Sequence, residues 1–295
     1  MRQLIKLLLL GCLVFTLHAE GNDRYFFYKA TKGNAVFYLL GSMHMGKPDD
    51  ADYPAKVYAA LSESGRFILE GEVRKEKIRT PDLSLTYMPA GKTIRQYLTK
   101  DENVQYNKMG AALGIDLALF DRYQPWFIEF MFGYRLAFNA GFVLEYGTEH
   151  RLLRYIDRNF EKTKRPVIFT LEGNDEVLRS MHQLKMKEQL QRFRAFLAYS
   201  DRVGTSNVLE MQKYWREGND ANVLKIFHYY DTKDTASAKY SQVLLYDRNA
   251  RMAERLNLIA RYEGTSFVVT GALHLIGPQN ILEHLRLAGF KIERL

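Results

Sequence analysis

Short apolar segments alternate along the chain with stretches in which apolar residues recur at helical spacing. Four of these segments lack polar alternation and are rich in β-branched or aromatic residues, which is typical of strands covered on both faces in a mostly parallel sheet. The segments are 35–40 (AVFYLL), 67–69 (FIL), 167–171 (VIFTL) and 266–270 (SFVVT). Residues 92–142 and 176–226 have apolar positions at helical spacing with many charges between them, which predicts mainly helical inserts. The pattern therefore predicts an α/β fold in which helices flank a mostly parallel central sheet.

Two segments near the ends of the chain repeat one pattern. AVFYLLGSMHMGKP at 35–48 and SFVVTGALHLIGP at 266–278 each contain an apolar strand, Gly-x-x-His, another glycine, and a proline four residues after the histidine. A helix-like stretch follows each motif, at 54–61 and 280–287, and a strand-like segment follows each helix. The repeat predicts two related units, each made of a strand, a turn that carries histidine, a helix and a second strand.

Four predicted strand ends carry side chains that can bind metals or transfer protons. His44 and His274 end the two Gly-x-x-His motifs, and Glu70 and Glu172 follow buried strands in two Leu-Glu-Gly sequences. Because ligands bind beyond the carboxyl ends of parallel strands, we expect these four residues to share one cleft. The glycine three residues before each histidine suits a sharp turn or a close backbone approach.

Two imidazoles with one or two carboxylates form a ligand set suited to zinc, manganese, cobalt or iron. Such a metal lowers the pKa of a bound water and polarises a carbonyl group. A single histidine after a strand is usually a hydrogen-bonded structural residue, and a glutamate there is often a capping or ion-paired carboxylate. Because the histidine motif occurs twice in matching surroundings, we favour one shared functional site.

Two helix starts contribute further candidates. The segment EYGTEHRLLRYIDRNF at 145–160 predicts a helix with Thr148 as N-cap and Glu149 in the first turn. Glu149 either complements the helix dipole or, if this terminus faces the cleft, acts as a base or an additional ligand. The segment YDRNARMAERL places Arg248 and Asn249 at the start of another helix. There Arg248 either forms a surface ion pair or holds a carboxylate or a developing oxyanion.

These segments together resemble the TraB/GumN/Tiki-like family, which includes the pheromone-shutdown (PrgY) proteins. The similarity extends from Tyr28 to the end of the chain, with the blocks in the order expected for the family. The blocks are LLGSMHMGKPDDADYP, FILEGEV, EYGTEHRLL, RPVIFTLEG, YWREGND, YDRNARMAERL and FVVTGALHLIGPQNILEHL. One Gly-x-x-His is a weak signal, whereas this ordered set is specific.

The resemblance implies an α/β fold with paired Gly-x-x-His motifs and, by analogy with the Tiki branch, a metal-dependent peptidase active with manganese or cobalt. It implies His44 and His274 as metal ligands, Glu70 as a ligand or base, and Arg248 as an active-site residue. Zinc is the alternative metal. The metal ligands that we expect are His44, Glu70, Glu172 and His274, and the catalytic residues that we expect are Glu70, Glu149, Arg248 and Asn249.

The first residues of the chain predict where the protein acts. Basic residues precede an apolar run at 7–17 and a small residue, Ala19, which is typical of a secretory signal cleaved after that residue. A retained membrane anchor and lipid attachment at Cys12 are the alternatives, but the run is short for a bilayer span and Leu10 is bulky for a lipid-attachment box. We therefore expect an exported protein, periplasmic or extracellular, in which residues 20–295 form a single domain with the two helical inserts.

Cysteine usage and charge restrict the sites and partners further. The only cysteine lies in the signal segment, so a cleaved protein forms no disulfide and no thiolate metal site. Cleavage also removes Arg2 and Lys6, so the formal net charge falls from +8 to +6. Basic and acidic residues are interspersed, without a run of five like charges. This distribution favours a solvated surface, argues against nucleic acid as a partner, and leaves peripheral association with an anionic membrane open.

The resulting hypothesis is an exported metal-dependent hydrolase that acts on peptides or on another amide or ester substrate. Water activated by the metal attacks the carbonyl, a glutamate accepts the proton, and Arg248 or the metal stabilises the oxyanion. One alternative is a protein of the cell envelope that binds or sequesters a peptide or other ligand without turnover. Another is an envelope protein that handles haem or metal.

Overall fold

A mixed sheet of six strands lies at the centre of the structure, a computed structural model that describes residues 24–78, 80–173, 175–199, 204–228 and 235–295. The strands are β1 (Phe27–Lys32), β2 (Ala35–Ser42), β3 (Arg66–Leu69), β4 (Val167–Thr170), β5 (Gly264–Gly271) and β6 (Lys291–Arg294). Their order in the sheet is β4-β3-β5-β2-β1-β6. The predicted signal segment, with Cys12, lies outside the described residues.

Helices flank the sheet and fill both predicted inserts. They are α1 (Ala55–Ser62), α2 (Lys100–Leu113), α3 (Pro125–Asn139), α4 (Thr148–Asn159), α5 (Glu176–His182), α6 (Met186–Ala198), α7 (Thr205–Arg216), α8 (Asp220–Phe227), α9 (Thr235–Ser241), α10 (Asp247–Ile259) and α11 (Ile281–Leu287). A π-helix at Gln242–Tyr246 joins α9 to α10 without a break. In the part of the chain that the structure describes, no helix combines the length and the apolar character needed to cross a membrane.

The four strands predicted from the apolar segments are present as β2, β3, β4 and β5, and they run parallel to one another. β5 pairs with β2 on one side and with β3 on the other, and β4 extends the sheet beyond β3. On β5 every residue from position 266 to 271 is buried. Strands covered on both faces give continuous apolar runs, so the prediction of a mostly parallel α/β sheet is confirmed.

β1 is the exception, because it is antiparallel to both β2 and β6, and the pattern did not predict it. The sequence FYKATK mixes apolar and polar residues, and only part of it is buried. Gly33 and Asn34 alone connect β1 to β2, and Gly33 has a φ of +56°. A two-residue loop with positive φ is typical of a tight hairpin, so this Gly-Asn pair was the signal for the missed strand.

The two predicted repeat units are β2-α1-β3 and β5-α11-β6, and they interlock in the sheet because β5 lies between β2 and β3. In the second unit Asn280 is the N-cap of α11, and its side chain accepts a hydrogen bond from the backbone N–H of Glu283 at 3.0 Å. Interlocking makes β2 and β5 direct neighbours. The two Gly-x-x-His sequences therefore leave the sheet side by side.

The two helical inserts share a hydrophobic core that is separate from the core around the sheet. Ile94 and Phe132 from the first insert and Phe193 from the second are fully buried in it. Full burial of a side chain of this size stabilises a fold by about 1.5–3 kcal/mol. The inserts thus pack together as one helical layer, although the number of domains in residues 20–295 stays a prediction.

Candidate functional site

The four strand-end residues lie along one edge of the sheet. β4, β3, β5 and β2 are consecutive parallel neighbours, so Glu172, Glu70, His274 and His44 follow one another in that order across the edge. The Nε2 atom of His274 lies 3.4 Å from Oε1 of Glu70. The fold therefore places the residues that the sequence pattern assigned to one cleft within one region.

Arg248 binds both strand-end glutamates. Its Nε donates to the two carboxylate oxygens of Glu172, each at 3.0 Å, and its Nη2 donates to Oε2 of Glu172 at 2.6 Å. Nη2 also donates to Oε1 of Glu70, and Nη1 donates to the backbone carbonyl of Leu244 at 2.9 Å. The side chains of Arg248 and Glu172 are only 4% and 2% exposed. The surface ion pair considered for Arg248 is therefore wrong, and this arginine holds carboxylates inside the protein.

A π-helical turn precedes Arg248 and helps to place it. The turn, Gln242–Tyr246, ends directly before α10, and Leu244 within it supplies the carbonyl that accepts from Nη1. A π turn contains more residues than an α turn, so the residues after it are rotated relative to an uninterrupted α-helix. Such turns are frequent at functional sites, and this one precedes the residue that joins Glu70 to Glu172.

The charges of this buried cluster stabilise one another. Burial opposes the ionisation of Glu70, but the neighbouring His274 and Arg248 outweigh it and hold the pKa of Glu70 well below its usual range. Burial also opposes the charge on Arg248, yet the two glutamates raise the pKa of Arg248 above its ordinary value. Glu70 is therefore ionised and Arg248 protonated at neutral pH.

Asn249 fixes the orientation of His274. The amide Nδ2 of Asn249 donates to the backbone carbonyl of Gln279 at 2.8 Å, so its Oδ1 faces the imidazole. This oxygen lies 2.6 Å from Nδ1 of His274. Because Oδ1 can only accept, Nδ1 carries the proton, and Nε2 is the ring nitrogen turned toward Glu70. His274 itself is buried, so its ring is held on both sides.

Glu149 orients His44 as Asn249 orients His274, but through a charged carboxylate and not a neutral amide. Oε1 of Glu149 lies 2.9 Å from Nδ1 of His44, and the glutamate is buried whereas the histidine side chain is 48% exposed. Loss of hydration in the cleft opposes the charge on His44, but Glu149 outweighs it and raises the pKa of His44 from 6.5 to about 9. Burial likewise opposes the charge on Glu149, yet His44 lowers its pKa below the ordinary value.

The start of α4 is fixed against the loop that carries His44. Thr148 does not cap this helix, as predicted, because the N-cap is Gly147 and no side chain bonds to it there. Instead Oγ1 of Thr148 accepts from the backbone N–H of Met43 at 3.1 Å and from the hydroxyl of Tyr53 at 2.9 Å. A Cβ on Gly147 would lie 2.1 Å from the carbonyl oxygen of His44, so this approach requires glycine. These contacts bring Glu149 beside the imidazole.

The glycines of the two motifs allow close approach, and neither of them has a positive φ. A Cβ on Gly41 would lie 3.0 Å from Cα of Ala272, in the turn that follows β5. A larger residue at position 41 would therefore push apart the two turns that carry the histidines. Of the two roles expected for these glycines, close backbone approach is the one that the structure supports.

Gly271 leaves space at the point where the candidate ligands converge. A Cβ on this residue would lie 3.3 Å from Nε2 of His44, 3.4 Å from Oε2 of Glu70 and 3.5 Å from Cδ2 of His274. The backbone N–H of Gly271 also donates to Oε2 of Glu70 at 2.7 Å. These three side chains thus approach Gly271 on the same side, His44 through Nε2, Glu70 through Oε2 and His274 through a ring carbon.

The chemistry of these donors fits a divalent cation. A histidine that binds metal usually donates its other ring N–H to a carboxylate or carbonyl group, and both His44 and His274 have such a partner at Nδ1. As they stand in the described residues, no three His, Cys, Asp or Glu side chains are grouped closely enough to hold a metal ion. Both glutamates predicted as ligands bind Arg248 instead, and their role as ligands stays a prediction.

The structure adds Tyr134 to the residues predicted from the sequence. Loss of hydration and the negative charges of Glu149 and Glu70 raise the pKa of Tyr134 to about 12, so its hydroxyl stays protonated near these carboxylates. Tyr134 also lines a cavity of about 460 Å³, together with Met45, the residue after His44. It lies in a helical stretch rich in aromatic residues, where the sequence pattern does not distinguish a site residue from a core residue.

A smaller cavity of about 220 Å³ lies on the other side of the cluster and is lined by both Glu70 and Glu172. Glu72 also lines this cavity, and its carboxylate accepts from Arg74 at 2.6 Å, so its charge is neutralised by that arginine. The candidate site thus has space on two sides, one of which adjoins His44 and the other the buried glutamates.

Comparison with known proteins agrees with the geometry. A sequence model of the TraB/PrgY/gumN family matches residues 26–294. The chain is 26% identical over 264 residues to an Escherichia coli (strain K12) protein named "Uncharacterized protein YbaP", and the alignment covers 86% of this chain and 89% of that protein. A Shigella flexneri protein of the same name matches with the same identity and coverage. No solved structure matches the chain. Since the family match spans all six strands and every candidate site residue, the chain belongs to the TraB/PrgY/gumN family.

Proposed function

We propose that this protein is an exported, metal-dependent hydrolase that acts on peptides or on another amide or ester substrate. The observation that carries the proposal is the convergence at Gly271. Two imidazoles, each held at Nδ1 by a hydrogen-bonding partner, turn toward the same small volume as an ionised carboxylate. A hydrogen-bonding partner at the second ring nitrogen is what a metal-binding histidine usually has, and this supports the proposal.

His44, His274 and Glu70 would hold the cation. Manganese and cobalt are the metals favoured by the resemblance to the Tiki branch, and zinc also suits this donor set. When bound, the cation would polarise the substrate carbonyl and lower the pKa of a water molecule. A glutamate, Glu70 or Glu149, would accept the proton that the attacking water loses. The low pKa of Glu70 favours the role of ligand for that residue.

The remaining predicted residues would position these groups. Every nitrogen of the Arg248 guanidinium already has an acceptor, which supports a role in holding Glu70 more than direct contact with an oxyanion. Glu172 binds Arg248 through both carboxylate oxygens and would fix its place, unless metal binding releases it to act as the fourth ligand. Asn249 and Glu149 would orient the two imidazoles.

Filling the space at Gly271 tests the metal site directly. The Gly271→Ala substitution adds a methyl group where the donors converge, and the backbone there is already in a conformation that alanine adopts. We expect its affinity for Mn²⁺, measured by calorimetry, to fall at least about tenfold, while the free energy of unfolding changes by less than about 1 kcal/mol. Gly65→Ala is the matched control, because a Cβ at position 65 meets no atom within 4 Å. Equal affinity in all three proteins would contradict a cation at this point.

Activity is tested by elemental analysis of the purified protein, followed by digestion of a peptide library with manganese, cobalt or zinc added. We expect stoichiometric metal and cleavage that chelation abolishes. The double variant His44→Ala and His274→Ala should lose both. Unchanged metal content and hydrolysis in that variant would end the proposal. Saturable binding of a peptide that mass spectrometry recovers intact would favour the non-catalytic alternative.

Export is proposed from residues 2–19, whose basic start, apolar run and small final residue form a signal pattern. Cell fractionation should find the protein in the periplasm or medium, with a mature N-terminus at Glu20. A mature protein that begins at Cys12 and carries lipid would instead support the lipoprotein alternative. Intact protein in the cytoplasm would contradict export.

A further inference from the structure

A cavity of about 460 Å³ lies between the first helical insert and the loop that follows His44. This volume is in the range of small-molecule binding pockets and exceeds the space that one side chain needs. Most of its wall is apolar. The apolar wall includes Ile115, Phe120, Met131, Phe138 and Leu144.

The cavity is joined to the candidate active site by a shared wall. Met45 lines it and follows His44 directly in the chain. The next residue, Gly46, exchanges two backbone hydrogen bonds with Val143 at 3.0 and 2.8 Å, so the wall at 143–145 is tied to the His44 loop. Tyr134 also lines the cavity, and burial together with the charges of Glu149 and Glu70 raises its pKa.

Apolar side chains at the mouth of this cavity are exposed to solvent. Phe138 and Leu144 both line it, and they are 53% and 46% exposed. Exposed apolar side chains that surround a concave surface usually mark a place where a ligand binds. The charged residues of the wall are Asp116, Glu145 and Arg135. Arg135 donates to the carbonyls of Leu113 and Gly114.

We propose that this cavity is the subsite that binds a large apolar side chain of the substrate, of the size of leucine, methionine or phenylalanine. The inference rests on the proposed hydrolase function, because it takes the group next to the reacting carbonyl to lie beside His44. It narrows the substrate class to peptides with a large apolar residue at a fixed position relative to the bond that is cut.

Binding of short peptides tests the subsite without any need for turnover. The probes are N-acetyl-Ala-Phe-Ala-amide and N-acetyl-Ala-Ala-Ala-amide, with binding followed by NMR saturation transfer and calorimetry. We expect the phenylalanine peptide to bind at least about tenfold more tightly, since each apolar group that fits a pocket contributes roughly this factor or more. Equal binding of the two peptides would overturn the inference.

Two variants test whether the phenylalanine side chain of the peptide binds in this cavity. Leu144→Trp narrows the mouth of the cavity and Phe138→Ser removes an aromatic wall, and neither residue belongs to the proposed catalytic machinery. Both should lower the preference for phenylalanine at least about tenfold. Leu209→Trp is the matched control, because Leu209 is 43% exposed and lies on α7 outside the cavity wall. A preference that survives both cavity variants, or that is lost in the control, would overturn the inference.

Digestion of a peptide library shows whether the proposed subsite or the proposed hydrolase function is wrong. Cleavage next to large apolar residues that Leu144→Trp shifts to small residues supports both ideas. Cleavage without such a preference, unchanged in Leu144→Trp, leaves the hydrolase in place and removes the subsite. Absence of any cleavage, with phenylalanine binding still lost in the cavity variants, removes the hydrolase and supports the subsite as a peptide-binding pocket.

Discussion

The two Gly-x-x-His motifs follow neighbouring strands, yet the two histidines have different surroundings. The side chain of His274 is 5% exposed and that of His44 is 48% exposed. His274 is oriented by the neutral amide of Asn249, 25 residues away in the chain, and His44 by the carboxylate of Glu149, 105 residues away. The repeat thus supplies two imidazoles, while the rest of the chain makes one of them a buried anchor and the other a solvent-facing group.

Under the proposed hydrolase function, this asymmetry predicts from which side a substrate approaches. His274 belongs to the buried cluster of Glu70, Arg248 and Glu172, which leaves little room for a moving group. His44 borders the large apolar cavity through Met45. We therefore expect the His274 end to hold the site together and the His44 end to meet the substrate.

The largest effect is expected when the positive charge of Arg248 is removed from the buried His274 end. Arg248→Met leaves the carboxylates of Glu70 and Glu172 buried without their partner, and breaking a buried ion pair in this way costs about 3–5 kcal/mol. Urea denaturation should show this loss of unfolding free energy. Arg251→Met, one turn along the same helix and 38% exposed, should cost less than about 1 kcal/mol. Similar losses in both variants would mean that the cluster does not stabilise this end.

The two outer-shell partners can be compared through Mn²⁺ affinity. Asn249→Ala removes the acceptor that fixes the tautomer of His274, and loss of such a partner typically weakens metal binding about 10–100-fold. Glu149→Gln keeps an acceptor for His44 and removes only the charge, so we expect a smaller loss, of less than about tenfold. Calorimetric titration of both variants checks the order. A larger loss in Glu149→Gln would show that the exposed end is the stronger anchor.

The sequence alone was sufficient for the centre of the sheet. Buried strands of a parallel sheet are continuously apolar, so β2, β3 and β5 were visible in the pattern. β4 was visible by the same kind of apolar run, although it lies at the edge of the sheet and has no buried residue. The duplicated motif placed His44 and His274 at neighbouring ends. β1 was missed because it lies next to the edge strand β6, where polar residues are tolerated, and only the tight Gly33–Asn34 turn marks it.

The partners within the site were much harder to predict. Glu149 was recognised as a candidate, but its contact with His44 depends on how the start of α4 packs against a loop 105 residues earlier. Arg248 was expected to hold a carboxylate or an oxyanion, and only the π turn and the sheet order bring it to two carboxylates at once. Tyr134 resembles any aromatic residue of a buried helix face, so its place near Glu149 follows from tertiary structure alone.

Alkaline pH tests the His44 end of the site, because the position of its loop against α4 depends on the buried hydroxyl of Tyr53. Tyr53 donates to Oγ1 of Thr148 at 2.9 Å, and burial raises its pKa well above the ordinary value. A raised folded pKa means that the stabilisation is fully present below the unfolded pKa of about 10 and is lost as the pH rises above it. The slope is at most about 1.4 kcal/mol per pH unit for one phenol.

Tyr53→Phe removes this dependence. At neutral pH we expect it to cost about 0.5–1.5 kcal/mol, the usual net contribution of one hydrogen bond. Above pH about 10, urea denaturation should show the stability of the wild type falling toward that of the variant, because phenylalanine does not ionise. Other buried tyrosines are present in both proteins, so their effects cancel in the difference.

Tyr262→Phe is the control, since Tyr262 is 78% exposed and its loss should leave the alkaline slope unchanged. If the difference between wild type and Tyr53→Phe stays constant with pH, the phenol is not what holds α4 against the His44 loop. The hydrogen bonds between Thr148 and the backbone of Met43 make that contact instead.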